Sequence, residues 1–427
     1  MAKAKPSKRS VTQPAGFYAA GGTCGIKASG LPDLALIVAD RPCAAAGVFT
    51  RSRTPGAPVI VSRRHLRSGQ AQAIIVNSGN ANASTGKAGE HDATTMCKLL
   101  ARQLTQDEHT PLREVTLKPA DVLVASTGII GHRLPMDLIG RGVATLVPRL
   151  GRNRQADVNA ARAIMTTDLA PKSALTTLDL AGQTVTLAGI AKGSGMIAPN
   201  MGTMLAFITT DAAIAAAPLQ QALRDAAAAS FNRTSVDQHT SPSDMAFALA
   251  SGAADHKPIT TAAGDAYAAF ADALTALCRD LAYQVVQDGE GATKVFRMQV
   301  TGARTEREAD RVAKAVVDSP LVKCAVHGGD PNWGRIVTAA GYSGAAIQPA
   351  KMSLHVGGDA AGDDGVCVYR AGSPTDLNGN TLRRLGALMR KKEVCFTLDL
   401  GRGQAAVEWF GCDLSRQYIA INADYTT

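Results

Sequence analysis

The sequence predicts a layered α/β protein in which helices cover mixed sheets. The chain has 427 residues and 46% of them are hydrophobic, so it can bury a large core in two domains or two intertwined halves. Only 4% are aromatic, which indicates a core of small and branched aliphatic side chains. Short apolar runs of strand length also alternate with helical segments, as in α/β proteins.

Three apolar runs in the first half have the length and branching of buried strands, at 34–38, 73–76 and 122–125. The second and third lead into polar segments that contain glycine, 77–82 and 126–131, which we expect to be loops. Loops at strand ends commonly carry binding groups.

Helices are predicted at 156–165, 218–230, 267–285 and 305–317. The third is the clearest, because its apolar residues recur at spacings of three and four and form one face. It ends near Glu290, where the flanking glycines break the helix and expose the carboxylate.

Further strands are expected at 204–208, 394–398 and 405–409. The chain then ends on an expected apolar strand and a few polar residues, without a charged tail. A terminus tied into the structure in this way lets Asn422 and Thr427 reach a site. The alternative is an edge strand that stops at Ile421.

Composition argues against several classes of partner. The formal net charge is +9, but the basic residues are scattered and show no RNP-type motif or zinc-finger spacing, so no nucleic-acid partner is predicted. No segment approaches the roughly 18 apolar residues of a membrane helix, and no secretory signal is expected. Eight cysteines without CxxC or Cys/His clusters indicate free thiols in a reducing cytoplasm. No metal and no cofactor are predicted.

Thr203 is the most informative residue, because it lies between a glycine-rich loop and the predicted strand at 204–208. A threonine that becomes a chain N-terminus carries its own base, an α-amine with a pKa of about 7.7–8.0. Gly202 lacks a Cβ and leaves its carbonyl open to attack by the neighbouring hydroxyl. This favours a cut between the two residues; the alternative is that they simply begin a strand.

Acyl transfer also needs hydrogen-bond donors aimed at the developing oxyanion. The Thr127 hydroxyl and the Gly128 N–H are candidates, against an ordinary strand-to-helix turn. Lys192 and Glu290 would suit the carboxylate and the side-chain amine of an amino-acid substrate, against ordinary solvated surface charges. A phosphate loop at 193–195 is disfavoured, because the Walker lysine is absent.

A series of ordered motifs extends over nearly the whole chain. They are GFYAAG at 16–21, VNSGNANA at 76–83, STG at 126–128, MTTD at 165–168, the segment 192–211, SFNR at 230–233, DGEGATK at 288–294, DPNWGRI at 330–336 and INADYTT at 421–427. Together they resemble the ornithine acetyltransferases, also called glutamate N-acetyltransferases or arginine-biosynthesis bifunctional proteins.

The resemblance implies a self-processing, N-terminal-nucleophile-like acyltransferase architecture. Cleavage between Gly202 and Thr203 would give an α chain, 1–202, and a β chain, 203–427, that stay together as an α2β2 heterotetramer. Thr203 would be the nucleophile, with Thr127 and Gly128 stabilising the oxyanion. The implied substrate contacts are Thr166, Lys192, Thr203, Glu290, Asn422 and Thr427, where Thr166 is preferred over Thr167.

The implied reaction is ping-pong acetyl transfer from N2-acetyl-L-ornithine to Thr203 and then to L-glutamate, in the cyclic arginine biosynthesis pathway. Some family members also accept acetyl-CoA as a donor. One competing interpretation is an N-terminal-threonine amidase or aminopeptidase that uses water as the acceptor. Another is a non-catalytic amino-acid-binding protein that remains uncut.

The chain departs from the family pattern at several positions. Gly202 stands where alanine is usual, which eases cleavage sterically but increases the freedom of the unfolded chain. Gln238, His239 and Pro242 alter a loop, and His327 replaces a common aromatic residue. None of these changes removes a residue to which the resemblance assigns chemistry.

Overall fold

The structure is a computed structural model that describes residues 10–198, 204–358 and 365–424. These residues form two compact units. Among the described residues, the first unit contains the chain up to residue 232 together with 239–285, and the second contains 233–238 and the chain from 286 to 424.

Strands and helices are numbered along the chain. The strands are β1 Phe17–Gly22, β2 Leu34–Phe49, β3 Gln70–Asn80, β4 Val122–Ile129, β5 Lys172–Leu180, β6 Gln183–Lys192, β7 Leu205–Thr210, β8 Thr234–Ser235, β9 Met245–Ala250, β10 Val295–Ala303, β11 Ser353–Val356, β12 Val366–Arg370, β13 Ser373–Pro374, β14 Glu393–Asp399 and β15 Ala405–Cys412. The helices are α1 Ala57–His65, α2 Gly86–Gln106, α3 Met136–Leu146, α4 Arg154–Ala163, α5 Ala216–Ala229, α6 Asp265–Gln287, α7 Glu306–Asp318, α8 Pro320–Gly328, α9 Trp333–Gly341, α10 Gly379–Met389 and α11 Arg416–Asp424.

The first unit is built around a mixed sheet with the strand order β4-β3-β2-β9-β7-β6-β5 in the described chain, and β1 pairs with β2. β3 pairs with β4 and β7 with β9 in parallel, whereas the other neighbours are antiparallel. One face of β2, β3 and β4 packs against α2 and α3, and the other face packs against α4. Burial on both faces explains why these strands are apolar without alternation.

The second unit has its own mixed sheet, with the order β13-β12-β11-β14-β10-β15-β8 among the described residues. Along β10, Phe296, Met298 and Val300 are buried, whereas the residues between them are partly exposed. The buried face packs against α7, where Val312 and Val316 belong to the same core. Because helices cover only one face of this sheet, buried and partly exposed side chains alternate along β10, as expected.

The predicted fold class is confirmed: the chain is a mixed α/β protein with two layered sheets. Helices α4, α5, α6 and α7 lie at the four predicted positions. Residues on both sides of the 202–203 bond contribute strands to the first sheet, because β5 and β6 precede that bond and β7 and β9 follow it.

The predicted C-terminal strand is wrong, because the segment forms helix α11. Ser415 Oγ accepts the N–H groups of Gln417 at 3.1 Å and Tyr418 at 3.3 Å. A serine that satisfies the first N–H groups favours the start of a helix. The apolar run around Ile421 is too short for its spacing to distinguish strand from helix.

The polar segments predicted as loops after 73–76 and 122–125 begin inside the strands. β3 continues to Asn80 and β4 continues to Ile129. Polar side chains are accommodated there because they bond to each other: Ser126 Oγ donates to Asn77 Oδ1 at 2.6 Å. Buried polar groups with partners are compatible with a strand.

None of the helices in the described part of the chain has the length and apolar character that crossing a membrane requires.

Candidate active site

Lys192 is the last residue of β6 and pairs with Leu205 at the start of β7. Its side chain is inside the first unit, where the residue is only 7% exposed. The Lys192 Nζ donates to Thr166 Oγ1 at 2.7 Å and to Thr127 Oγ1 at 3.3 Å. The structure therefore brings together three residues that the sequence analysis selected separately.

Thr127 and Gly128 lie near the end of β4, where the parallel pairing with β3 becomes irregular. Gly128 has a φ of +133°, and a Cβ there would lie 2.3 Å from the Gly79 carbonyl carbon. Only glycine fits this close approach. Because the Thr127 hydroxyl oxygen accepts from Lys192, its own hydrogen can be donated to another oxygen.

The turn at 166–168 is held by Asp168, whose side chain is fully buried. Asp168 Oδ2 accepts the N–H of Thr166 at 2.9 Å, and Oδ1 accepts from Lys172 Nζ at 2.6 Å and from the N–H of Gly193 at 2.7 Å. These bonds fix Thr166 and the residue after Lys192 relative to each other. Of the two adjacent threonines, Thr166 is the one that accepts from Lys192.

Burial by itself raises the pKa of Asp168, but the ammonium groups of Lys192 and Lys172 outweigh it. They hold the pKa of this carboxyl well below its usual range. Asp168 is therefore ionised at neutral pH and balances part of the positive charge beside Thr166.

Lys27 is a neighbouring cation that the sequence analysis missed. Its Nζ donates to the carbonyls of Pro32 and Met165, both at 2.7 Å. The Asp33 carboxylate holds its loop by accepting the N–H groups of residues 24–27. Burial lowers the pKa of Lys27, and the positive charge of Lys192 lowers it further. The Asp33 carboxylate raises it, but the pKa remains below its usual value. The sequence did contain a signal for this loop, namely Asp33, a carboxylate directly before the buried strand β2.

Glu290 and Asn422 meet in the second unit, where Asn422 Nδ2 donates to Glu290 Oε2 at 2.9 Å. Gly291 makes this possible, because a Cβ there would lie 2.4 Å from the Tyr418 nitrogen. Ser415 Oγ also donates to the Gly291 carbonyl at 2.6 Å. The start of α11 thus lies directly on the backbone beside Glu290.

His327, one of the departures from the family pattern, bonds to a carboxylate in the second unit. Its Nδ1 lies 2.7 Å from Asp413 Oδ2. Asp413 Oδ1 also accepts the N–H groups of Thr293 and Lys294, which follow Glu290 closely in the chain. Burial raises the pKa of Asp413, but hydrogen bonds from Thr293 and His327 lower it below its usual range.

Three predicted site residues, Gly202, Thr203 and Thr427, lie outside the described residues. The predicted roles of all the site residues remain predictions. Within the three described ranges, no group of histidine, cysteine, aspartate and glutamate side chains is arranged to hold a metal ion.

Comparison with known proteins decides the family. The ArgJ family matches residues 18–427. An arginine biosynthesis bifunctional protein ArgJ from Symbiobacterium thermophilum is 45% identical over 419 residues, which are 98% of each chain. The chain belongs to the ArgJ family.

A second ArgJ protein and one solved structure are also similar to this ArgJ-family chain. An arginine biosynthesis bifunctional protein ArgJ from Synechocystis sp. is 43% identical over 418 residues, again 98% of each chain. A solved ornithine acetyltransferase from Mycobacterium tuberculosis, complexed with ornithine, is 42% identical over 45% of this chain and 96% of its own, with a TM-score of 0.40.

Family membership confirms the resemblance predicted from the ordered motifs. It also confirms that the chain is an enzyme, of the family whose curated members are named arginine biosynthesis bifunctional proteins.

Proposed function

We propose that this chain is a glutamate N-acetyltransferase that moves acetyl from N2-acetyl-L-ornithine to L-glutamate in the cyclic pathway of arginine biosynthesis. The relatives' names support the pathway. The observation that carries the chemistry is the buried Lys192 ammonium between the hydroxyls of Thr127 and Thr166. The ammonium can bind the carboxylate of a substrate, and the Thr127 hydroxyl beside it can donate to an oxyanion.

Self-processing comes first in this mechanism. The Thr203 Oγ attacks the Gly202 carbonyl carbon, the peptide C–N bond breaks, and the hydroxyl proton passes to the nitrogen, which becomes the α-amine. Water then hydrolyses the resulting ester and releases the Thr203 hydroxyl. The products are the α chain, 1–202, and the β chain, 203–427. The new α-amine lies on the nucleophile itself and acts as its base.

Acetyl transfer follows in two half-reactions. The Thr203 Oγ attacks the acetyl carbonyl of acetylornithine while the α-amine takes the hydroxyl proton; the C–N bond then breaks, and this proton leaves with ornithine. The amine of glutamate next attacks the acetyl ester, the C–O bond breaks, and the Thr203 hydroxyl is restored. In both steps the Thr127 hydroxyl and the Gly128 N–H donate to the oxyanion.

The substrate site must bind both ornithine and glutamate, which share the same α-amino-acid end. We assign the common carboxylate to Lys192, supported by Thr166, and the extra ammonium of ornithine to Glu290. Asn422 and Thr427 are the remaining proposed substrate contacts. The bond between Glu290 and Asn422 supports treating these two as one recognition element.

The proposed function also includes an assembly, a location in the cell and a second acetyl donor. The α and β chains stay associated as an α2β2 heterotetramer in the cytoplasm, a reducing compartment that suits eight free cysteines. Acetyl-CoA as a second donor is supported only by the word "bifunctional" in the relatives' name.

The intact mass of the purified protein tests the proposal first. We expect two fragments that meet between Gly202 and Thr203, and a single uncut chain for Thr203→Ala. Incubation with acetylornithine and glutamate should then yield N-acetylglutamate, and acetylornithine alone should leave an acetyl group on Thr203.

Two outcomes would contradict the proposal. Release of acetate without acetylglutamate would identify a hydrolase that uses water as the acceptor. A stable uncut wild-type chain that binds these amino acids without acetylation would identify a binding protein.

A further inference from the structure

Residues 240–244, named here the junction clamp, lie against both described ends of the segment that contains Gly202 and Thr203. Strand β7 begins at Leu205 and β9 at Met245, and these two residues are partners in the parallel ladder. Met204 and Asp244, which precede them, are therefore neighbours. The Met245 N–H also donates to the Met204 carbonyl at 3.1 Å.

Asp244 holds the downstream end of this segment. Its carboxyl accepts the N–H of Met204, the residue bonded directly to Thr203. It also accepts the N–H of Ser241 at 3.0 Å, and the residue is only 2% exposed. Burial raises the pKa of Asp244 well above its usual range, and these N–H groups and the charge of Lys192 offset this only in part.

Thr240 holds the upstream end. Its Oγ1 donates to the Ala198 carbonyl at 3.0 Å. The clamp is itself fixed to the first unit: Thr50 Oγ1 donates to the Ser241 carbonyl at 2.9 Å, and the Gly56 N–H donates to the Pro242 carbonyl at 2.9 Å. One short, anchored loop thus contacts the chain on both sides of residues 199–203.

We propose that Thr240 and Asp244 are positioning residues for self-processing, because together they fix the two ends between which the Gly202–Thr203 bond lies. This inference rests on the proposed self-cleavage. Attack of a hydroxyl on the preceding carbonyl requires a bent, restricted backbone, which an unrestrained segment visits rarely. Ends held by hydrogen bonds reduce that conformational freedom before the reaction begins.

The clamp also bears on two of the departures from the family pattern, Pro242 and Gly202. Pro242 has no N–H, but the clamp uses its carbonyl, which accepts from Gly56. Proline at this position stiffens the loop between Thr240 and Asp244. A fixed clamp suits a junction whose sequence contains a glycine, because glycine can adopt more backbone angles than any other residue.

The test follows the rate of cleavage in freshly folded protein by intact mass. Thr240→Val keeps the side-chain shape but removes the hydroxyl, whereas Thr240→Ser keeps the hydroxyl. We expect Thr240→Val to slow cleavage about fivefold, roughly the effect of one lost hydrogen bond, and Thr240→Ser to cleave at nearly the wild-type rate. Asp244→Ala should slow it about tenfold or more, and Asp244→Asn, which keeps one acceptor oxygen, less so.

Asp157→Ala is the matched control. Asp157 is also buried and accepts two backbone N–H groups, from Ser10 and Thr12, both at 2.9 Å, so its loss removes similar bonds elsewhere. The thermal midpoint of each variant is measured in the Thr203→Ala background, where no cleavage interferes. We expect Asp157→Ala to lower the midpoint without slowing cleavage.

Equal cleavage rates for Thr240→Val and Thr240→Ser, or slowing by Asp157→Ala that matches Asp244→Ala, would overturn the clamp. If Asp244→Ala does not fold, the threonine pair decides alone. A wild-type chain that never cleaves would instead refute the proposed function, so the two failures are distinguishable.

Discussion

At the scale of single residues, Asp168 joins three pieces of chain that carry the candidate site. It accepts from the backbone of Thr166 and Gly193 and from the buried ammonium of Lys172. Replacement by asparagine would leave Lys172 without its carboxylate partner in a buried position, which is costly. Asp168 is therefore expected to position Thr166 and Lys192 and not to touch substrate.

We expect Asp168→Asn to lower the free energy of unfolding by about 3–5 kcal/mol at pH 7. The folded protein holds the pKa of Asp168 below the unfolded value of about 3.9, so its stabilisation is complete above that value and is lost as pH falls through the folded pKa. The difference between variant and parent should therefore shrink towards pH 3.

Urea unfolding of both proteins at the two pH values, in the uncut Thr203→Ala background, measures this difference. A penalty that is unchanged at the acidic pH would show that the ionised form of Asp168 does not provide the stabilisation.

At the scale of elements, the close approach of β3 and β4 shapes the predicted oxyanion donors. Gly128→Ala would place a Cβ against the backbone of Gly79 and Asn80, at 2.3 and 2.5 Å, and would also strain the positive φ. We expect a loss of about 2–4 kcal/mol in stability, and acetyl transfer should nearly cease because Thr127 is displaced.

Gly131→Ala is the control for this prediction, since Gly131 has a φ of +90° but no atom within 4 Å of the added Cβ. It should cost only the backbone strain and should keep most of the activity. Equal effects of both changes on urea unfolding and on the transfer rate would mean that the contact with β3 is unimportant.

Sequence patterns predicted the elements with long, regular spacing and missed those with local or mixed signals. The face of α6 and the buried runs in β2, β3 and β4 follow directly from periodicity and apolar content. The polar ends of β3 and β4 looked like loops, because only the structure shows that Asn77 and Ser126 bond to each other. The signal for helix α11 is Ser415, which accepts the first N–H groups of the helix. The short apolar run that follows it fits a strand equally well, so the sequence pattern alone did not reveal the helix.

Some residues of the candidate site could also be predicted from the sequence, and others could not. Thr127, Thr166 and Lys192 could be selected from the motifs, and the structure brings them into contact. Lys27 and Asp244 were not selected, because each contacts a residue distant in sequence: Lys27 Nζ donates to the Met165 carbonyl, and Asp244 lies beside Met204. A carboxylate that binds a backbone N–H leaves no periodic pattern in the chain.

At the scale of the whole molecule, the sheet of the first unit combines strands from both sides of the proposed cut. β6 precedes it, whereas β7 and β9 follow it and pair with β6 and β2. Cutting between residues 202 and 203 breaks none of these ladders. We expect the two fragments to co-elute from gel filtration in native buffer and to separate only in denaturant.

The uncut Thr203→Ala protein provides the elution reference, and light scattering should give twice the chain mass of 44.2 kDa if the α2β2 assembly forms. Fragments that separate in native buffer would contradict the shared sheet.

The antiparallel pairing of Lys192 with Leu205 makes residues 193–204 the connection of a β-hairpin. In the uncut chain this short tether keeps β6 and β7 at a high effective concentration, so their pairing is a first-order event. After a cut, an unfolded molecule must find its other fragment by diffusion, and recovery becomes second order in protein. The hairpin connection is therefore needed to build the enzyme and is dispensable once it is built, and the working lifetime of the cut protein is set by its unfolding rate.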